Sequence, residues 1–275
     1  MDKALAKTIS GFSDFVTDLK PDLIIVHGDR VEALAGAVVG SLNNILVAHI
    51  EGGEVSGTVD ELIRHAVSKM SHAHFVTDSK AKDRLIQLGE RPDTIFVIGS
   101  PDLDMMNAKC MPELELVKEY YGIAFSDYAI ALFHPVTTEY SSTAVRARDF
   151  VSALIASEMN FVVIYPNNDL GSNEILSEYS RFEGNQRFKV LPSMRFEYFL
   201  TLMKNCQFII GNSSAGLKEA PTLGVPTIDV GTRQLNRVRL NSIINVDCTM
   251  ESLLVAINDL KGSKTQLVPF LPYQT

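Results

Sequence analysis

Short apolar runs alternating with amphipathic segments constrain the fold of this chain most strongly. Each run is three to six residues long, which is typical of a buried strand, and the segments between them carry apolar residues at helical spacing. This alternation predicts an α/β fold in which helices cover parallel sheets. The runs lie at residues 23–26, 45–48, 74–77, 94–99, 128–133, 161–165, 188–191, 208–210 and 226–230.

The runs form two series, which predicts two Rossmann-like domains facing each other across a cleft. A chain of 275 residues is long enough for two such domains, each with its own core. A polar stretch from Ala108 to Ser126, with a short Glu- and Lys-rich helix, separates the series. We therefore expect domains at residues 1–115 and 116–275. Ligands of such domains bind at the carboxyl ends of the strands, so functional motifs should follow strands directly.

Composition and charge exclude several classes of protein. No apolar run approaches the roughly 18 residues that would span a bilayer, which argues against a membrane protein. The net charge of -8 and the lack of a clustered basic surface argue against a nucleic-acid partner. The N-terminal segment MDKALAKTISGF has no signal-peptide apolar core, so a cytoplasmic location is expected. A nucleotide remains possible as a ligand, because a few local basic groups and helix ends can hold it.

The N-terminal segment is amphipathic and predicts a helix. Leu5, Ile9, Phe12 and Val16 recur at helical spacing and form one apolar face. We expect this face to require cover from a neighbouring element.

Cysteine and histidine spacing favours neither disulfides nor a metal site. Cys110, Cys206 and Cys248 are odd in number and share no CxxC spacing, which is typical of buried thiols in a reducing compartment. His72 and His74 alternate at the start of an apolar run, which fits an ordinary strand better than a metal site. We therefore expect no metal.

The motif VHGDR follows the first apolar run. Gly28 permits a tight turn from strand to helix, and Asp29 would stand at the start of the helix that begins near Val31. Asp29 is either a functional carboxylate or only the N-cap of that helix.

A second motif, AHIEGGEVSGTVDELIRHA, follows the next run. Glu51 lies at a strand end, and a helix should open near Thr58. On that helix Asp60 and Arg64 are four residues apart and share one face. Together with Asp29, these carboxylates could converge on one crevice, an arrangement that is costly unless it is used. A surface ion pair between Asp60 and Arg64 is the alternative.

In the second series, FHPVT and IYPNNDLGS each follow a strand. His134 and Asn167 then occupy equivalent strand-end positions. His134 is either a functional side chain or a turn histidine next to Pro135.

The segment FIIGNSSAGLKEAPTLGVPTIDVGTR carries the pattern of an anion site. A strand end leads into a predicted helix whose free N–H groups could bind a phosphate, and Glu219 on that helix could accept bonds from ribose hydroxyls. Arg233 could contact a pyrophosphate. A serine N-cap followed by a solvated glutamate is the alternative. The residues concerned are Gly211, Asn212, Ser213, Ser214, Glu219 and Arg233.

The motifs HGDR, HIEGGEVSGTVDE, IRHA, HPVTT, GNSS and GTRQ together resemble those of the hydrolysing UDP-N-acetylglucosamine 2-epimerases of sialic acid biosynthesis. HIEGGE followed by SGT and an acidic residue is the specific part, because the non-hydrolysing epimerases have a sequence similar to HVEAG there. The resemblance implies a GT-B-like pair of Rossmann domains and a reaction that converts UDP-N-acetylglucosamine and water to N-acetylmannosamine and UDP. The implied path is elimination of UDP to a 2-acetamidoglucal, then hydration with inversion at C2, without a cofactor.

The resemblance also implies roles for individual residues, without deciding which carboxylate takes the C2 proton. The implied catalytic residues are Asp29, Glu51, Asp60 and His134. The implied substrate-binding residues are Arg30, Arg64, Asn167, Gly211, Asn212, Ser213, Ser214, Glu219 and Arg233.

The chain departs from the family pattern in two places. Members have a further βα region before VHGDR with a basic residue that reaches the nucleotide, so we expect the first domain to be incomplete. Asn236 stands where the family has a glycine. The resemblance further implies a UDP-sugar ligand and a homo-oligomer, a dimer or tetramer.

The sequence leaves two other functions open. One is a hydrolysing 2-epimerase of a UDP-diacetamido-trideoxy sugar, of the legionaminic-type pathway, and the other is UDP-sugar binding by a catalytically incomplete protein. A dinucleotide-dependent dehydrogenase is disfavoured, because no GxGxxG follows a strand.

Overall fold

The structure is a computed structural model that describes residues 1–55, 59–106, 111–234 and 240–262. The chain divides into two compact units, of which unit 1 runs from Met1 to Leu103 and unit 2 begins at Asp104. This division lies before the expected boundary at residue 115. The helix at Leu114–Tyr121 belongs to unit 2, where Tyr120 packs edge-on against Tyr198 with ring centroids 5.2 Å apart.

Unit 1 contains one parallel sheet with the strand order β1-β2-β3-β4. A helix precedes the first strand, and a helix follows each of the first three strands. The elements are α1 (Asp2–Leu19), β1 (Leu23–His27), α2 (Val31–Leu42), β2 (Leu46–Ile50), α3 (Val59–Lys69), β3 (Ala73–Val76), α4 (Ser79–Gln87) and β4 (Ile95–Val97). A short helix, α5 (Pro101–Met105), contains the division between the units.

The N-terminal helix α1 is covered, as its apolar face required. Val16 is buried, and Leu5, Ile9 and Phe12 pack against the same apolar cluster, which α2 completes. Gly36 lets the two helices and the sheet approach, because a Cβ there would lie 2.8 Å from a methyl group of Val26. The α1–α2 pair therefore forms one helical layer on the sheet.

Burial in β1 alternates, although parallel strands usually have both faces covered. Ile24 and Val26 are buried under the helices, whereas Leu23 and Ile25 on the other face are 46% and 61% exposed. Leu46, which pairs with Leu23 in the register of β1 and β2, is also exposed. An apolar strip of the sheet thus faces outward at β1 and β2.

Unit 2 contains a six-stranded parallel sheet with the order β10-β9-β8-β5-β6-β7. This order has its switch point between β5 and β8, where a ligand site of a doubly wound sheet is expected. The elements are α6 (Leu114–Tyr121), β5 (Ala129–Leu132), α7 (Thr143–Ala156), β6 (Phe161–Ile164), α8 (Ser172–Tyr179), β7 (Phe188–Leu191), α9 (Phe196–Asn205), β8 (Ile209–Gly211), α10 (Glu219–Thr222), β9 (Thr227–Val230), β10 (Ile243–Val246) and α11 (Met250–Leu260).

The four central strands of the unit 2 sheet are buried on both faces, as expected for parallel strands. Every residue of β5, β6, β8 and β9 is buried. Phe133 stacks on Phe150 on one side with centroids 4.7 Å apart, and on the other side the Tyr128 hydroxyl donates to the Leu202 carbonyl at 2.9 Å. Burial of each such aromatic ring contributes on the order of 2–3 kcal/mol. These contacts provide a rigid support for the loops at the strand ends.

All nine predicted strands are confirmed, and the prediction missed only β10 among the strands of the described residues. The predicted α/β fold is confirmed as well. Within the described residues, no helix is long and apolar enough to cross a bilayer.

His72 and His74 make contacts within unit 1, and the two described cysteines are unbridged. His72 Nδ1 accepts the Val47 N–H at 3.1 Å, and the fully buried His74 lies 3.3 Å from a carboxylate oxygen of Glu90. Cys206 and Cys248 carry free thiols, whereas Cys110 lies outside the described residues. Burial raises the pKa of the Cys248 thiol to about 12.

Candidate active site

The first candidate functional group is Asp29, which follows the tight turn after β1. Gly28 adopts φ +74° and donates its N–H to the Ile50 carbonyl at 3.0 Å, so the turn lies beside the end of β2. Arg30 occupies the N-cap position of α2, with its own side chain exposed. Asp29 is instead paired with the Arg64 guanidinium. Asp29 is therefore not the N-cap residue of α2, and its side chain pairs with α3 instead.

Arg64 is a buried partner of the acidic groups. Its side chain is 6% exposed, and its Nη1 donates to the Glu54 carbonyl at 3.1 Å while Nη2 contacts Asp29. Arg64 therefore pairs with a carboxylate from the turn after β1 and with the loop after β2, so it is not confined to a surface ion pair on its own helix. The guanidinium is buried against Asp29 and the loop after β2.

Asp60 lies in the first turn of α3 and is half-buried. It is four residues before Arg64, so the two side chains share one face of the helix. The helix begins at Val59 in the structure, and Thr58, where it was predicted to open, lies outside the described residues. Asp60 and Asp29 are thus both associated with the face of α3 that carries Arg64.

Glu51 follows β2 and is buried, with a backbone φ of +63°. A non-glycine residue in this left-handed region costs on the order of 1–2 kcal/mol, so the surrounding structure must hold it. Its N–H donates to the Phe75 carbonyl at 2.8 Å. Its two carboxylate oxygens lie 2.8 Å from Ser100 Oγ and 3.2 Å from His27 Nε2. Glu51 is therefore fixed in both backbone and side chain.

His49 supports this strand-end region from within β2, and sequence reasoning missed it. It is fully buried, its Nε2 lies 2.9 Å from the Gly28 carbonyl, and its Nδ1 lies 3.0 Å from Ser68 Oγ. A carbonyl only accepts, so Nε2 carries the proton and Nδ1 accepts from the Ser68 hydroxyl. Burial is the main cause that lowers the pKa of His49 to about 4. The ring is therefore neutral near pH 7 and links the Asp29 turn to α3.

Three more polar residues near Glu51 were missed, namely His27, Ser100 and Glu54. Glu54 Oε1 accepts from the Thr77 hydroxyl at 3.1 Å, which ties the loop after β2 to the end of β3. The sequence signal that could have identified His27 and Ser100 is their position, because each lies at or just after the end of a strand.

In unit 2, Asn212 holds the loop that carries His134. Asn212 is buried, its Oδ1 accepts the His134 N–H at 2.7 Å, and its Nδ2 donates to the His134 carbonyl at 2.8 Å. This pair of bonds joins the ends of β5 and β8, which are adjacent in the sheet. The backbone of His134 is therefore fixed at the switch point of the sheet.

The side chain of His134 is oriented by Asn167. The Asn167 backbone N–H donates to His134 Nδ1 at 3.1 Å. An N–H can only donate, so Nδ1 carries no proton and the neutral ring has its proton on Nε2. His134 and Asn167, which were predicted at equivalent strand-end positions, are thus in direct contact.

The predicted helix after GNSS is not continuous. Ser214–Gly216 form a single 3₁₀ turn, capped by Ser213 Oγ, which accepts the Ala215 N–H at 3.4 Å. A separate helix, α10, then begins at Glu219. Pro221 explains the break, because proline lacks an N–H and is tolerated only in the first turn of a helix. The strong helix dipole that was expected here is therefore absent, although the backbone N–H groups of the turn remain available to an anion.

The remaining predicted residues of unit 2 lie around Asn212. Gly211 adopts φ +141°, and a Cβ there would lie 1.7 Å from the Leu132 carbonyl oxygen, so only glycine fits. Arg233 Nη1 donates to the Asn212 carbonyl at 3.2 Å, and Gln234, which the prediction missed, donates to the same oxygen at 2.9 Å. Arg233 is thereby brought next to the loop that holds His134.

A small cavity adjoins this cluster. Its lining includes His134, Asn212 and the pair Glu139 and Arg146. Thr232 Oγ1 donates to Glu139 at 2.6 Å. Arg146 is thus a further basic side chain near the strand ends that the motifs did not indicate. Glu219 is buried at the start of α10.

The family described as UDP-N-acetylglucosamine 2-epimerase matches residues 1–272. The chain belongs to that family. The family predicted from the motifs is therefore confirmed, and its members are enzymes.

Individual relatives agree with this membership. The UDP-N-acetylglucosamine 2-epimerase of Neisseria meningitidis is 50% identical over 257 residues, which cover 94% of this chain and 68% of that protein. The hydrolysing UDP-N,N'-diacetylbacillosamine 2-epimerase of Legionella pneumophila is 32% identical over 94% of this chain and 69% of that protein.

A solved structure supports the fold. The Methanocaldococcus jannaschii UDP-GlcNAc 2-epimerase, crystallised with UDP-GlcNAc and UDP, has a TM-score of 0.79 at 24% identity, covering 98% of this chain and 77% of that chain. The GT-B-like fold class predicted from the sequence is confirmed by this likeness.

Proposed function

We propose that this chain converts UDP-N-acetylglucosamine and water to N-acetylmannosamine and UDP. The observation that carries the proposal is the 50% identity to the Neisseria meningitidis relative named for UDP-N-acetylglucosamine. Identity to the relative named for UDP-N,N'-diacetylbacillosamine is lower, at 32%. The strand-end carboxylates of unit 1 and the polar loops of unit 2 provide the chemistry that this reaction needs.

The first half of the proposed reaction is an elimination. A base removes the proton from C2, a double bond forms between C1 and C2, and the bond from C1 to the UDP oxygen breaks. Hydration then adds a proton to C2 from the opposite face and a hydroxyl to C1. No electrons are gained or lost overall, so the reaction requires no redox cofactor.

The proton transfers at C2 are assigned to Asp29, Glu51 and Asp60. Inversion requires removal and delivery of the proton on opposite faces of the sugar, which two different carboxylates can perform. Arg64 is assigned to positioning, because its buried guanidinium fixes Asp29 and balances the negative charge there. All these groups are supplied by unit 1.

The departing UDP is assigned to unit 2. Arg233 and the hydroxyl and N–H groups of Ser213 and Ser214 would stabilise the growing negative charge on the diphosphate. His134 would add the Nε2 proton that its bond from Asn167 fixes. Because the helix after GNSS is broken, we assign the main electrostatic contribution to Arg233 rather than to a helix dipole.

The buried carboxylate of Glu219 remains the proposed acceptor for the ribose hydroxyls. Asn212 and Gly211 shape this loop, and Arg30 is assigned to substrate because it is exposed beside Asp29.

A product assay tests the proposal. The purified chain is incubated with UDP-N-acetylglucosamine, and UDP and N-acetylmannosamine are quantified together. We expect equimolar release of both, lost in Asp60→Asn and retained in Asp83→Asn, a matched change at an exposed position on α4. No release of N-acetylmannosamine by the unaltered chain would refute the proposal. A kcat/KM higher for UDP-N,N'-diacetylbacillosamine would refute the assigned sugar.

A further inference from the structure

Glu51 has an unusual environment for a carboxylate that exchanges protons. The side chain is only 11% exposed, whereas His27, whose Nε2 lies 3.2 Å from Glu51 Oε2, is 48% exposed. The other oxygen, Oε1, accepts from the buried Ser100 hydroxyl at 2.8 Å. His27 therefore contacts one oxygen of Glu51 and is itself exposed to solvent.

The three residues come from separate strands and are held independently. His27 is the last residue of β1, Glu51 follows β2, and Ser100 follows β4. The strained backbone of Glu51 is anchored to Phe75 at the end of β3. Strain that the surroundings maintain at a strand end is characteristic of functional positions.

The proposed reaction leaves one carboxylate with an extra proton and another without one after each turnover. Glu51 has little direct contact with bulk water, so an exposed titratable neighbour offers a route for its proton. Imidazole is suited to this task because it gains and loses a proton near neutral pH. Ser100 cannot do so at these pH values, because its hydroxyl only donates or accepts hydrogen bonds.

On this basis, which rests on the proposed function, we propose that His27 exchanges protons between Glu51 and solvent, and that Ser100 is a positioning residue for Glu51. To deprotonate Glu51, the proton on Oε2 moves to His27 Nε2, and the imidazolium then releases a proton to water. To protonate Glu51, the same steps run in reverse. No oxidant or further reactant is involved.

Chemical rescue distinguishes proton exchange from a structural role. We compare kcat and KM for UDP release in the unaltered chain, His27→Ala, His27→Gln and the control His72→Gln, which alters an exposed histidine at the opposite end of the strands. We expect His27→Ala and His27→Gln to lower kcat by about tenfold or more, with KM changed by less than about threefold. Added imidazole should restore the kcat of His27→Ala in proportion to its concentration, and leave His72→Gln unchanged.

Ser100 is tested by a conservative pair. We expect Ser100→Ala to lower kcat by about fivefold or more and Ser100→Thr to recover most of it, because threonine keeps the hydroxyl. Circular dichroism at pH 7.5 checks that each variant folds, and if His27→Ala does not, the rescue is measured on His27→Gly.

The outcomes separate this proposal from the proposed function. No product from the unaltered chain would overturn the proposed function itself. Product from the unaltered chain with His27 variants within about twofold of its kcat, or with a lowered kcat that imidazole does not restore, would overturn the proton-exchange proposal alone.

Discussion

Replacing His49 by glutamine should change how the stability of unit 1 depends on pH. In the folded chain burial lowers the pKa of His49 to about 4, against an ordinary value of 6.5. Between these two values the unfolded chain binds more protons than the folded chain, so the free energy of unfolding falls as the pH falls. The stabilisation is fully present above pH 6.5 and is lost progressively down to pH 4.

The magnitude follows from the pKa difference. Since one pKa unit corresponds to about 1.4 kcal/mol, the full loss is on the order of 3 kcal/mol, and about 2 kcal/mol of it is lost by pH 5. Glutamine can keep a donor for the Gly28 carbonyl and an acceptor for the Ser68 hydroxyl, but it does not titrate. Burial also lowers the pKa of His65 and His74, and these contributions are shared by both proteins.

The assay is urea unfolding at pH 8 and pH 5. Unfolding is monitored by hydrogen–deuterium exchange in peptides from β1 and β2, so that unit 1 is measured by itself. We expect the unaltered chain to lose about 2 kcal/mol more than His49→Gln between these pH values. His72→Gln, which replaces an exposed histidine, is measured beside them as the control. Losses that agree within about 0.5 kcal/mol in the unaltered chain and His49→Gln would refute the assignment of a neutral, buried imidazole.

Three further substitutions test the site contacts. Arg64→Gln should lower kcat/KM by about tenfold or more, because Asp29 loses the Arg64 guanidinium. Arg64→Lys should recover little of this activity, since lysine lacks the guanidinium fork, and full recovery in steady-state kinetics would contradict this. Gly211→Ala should lower the urea-unfolding free energy of unit 2 by at least about 2 kcal/mol, since its Cβ would lie 1.7 Å from a backbone oxygen; a loss below about 0.5 kcal/mol would contradict it. Asn167→Pro removes the backbone N–H that orients His134, so it should lower kcat by about tenfold. Asn167→Ala keeps that N–H, and its kcat should stay within about threefold of the unaltered value. Equal effects of the two changes would show that the backbone bond does not matter.

Patterns that are local in sequence predicted much of this fold. The apolar runs gave nine strands because buried parallel strands are nearly continuous in apolar residues. The strand β10 was missed, since only the first of its four residues is buried and the run IINV contains an asparagine. The prediction of one continuous helix after GNSS was wrong. Pro221 must lie in the first turn of a helix, so the helix begins at Glu219 and not at the serines.

The site was predicted as a set of residues but not as a set of contacts. Strand-end positions identified His134 and Asn167, whose bond the structure shows. The pairing of Arg64 with Asp29 joins residues 35 positions apart and depends on how α3 packs, so helical spacing could not predict it. His49 escaped notice because a buried histidine within an apolar strand has no distinguishing spacing.

Turnover in heavy water tests the central claim most directly. UDP-N-acetylglucosamine is incubated with the chain in D2O, and the N-acetylmannosamine and UDP that form are analysed by proton nuclear magnetic resonance. Because elimination removes the C2 proton and hydration delivers another from the opposite face, we predict N-acetylmannosamine fully deuterated at C2, in a one-to-one ratio with UDP. N-acetylmannosamine that retains its original C2 proton, or release of N-acetylglucosamine with UDP, would contradict the account.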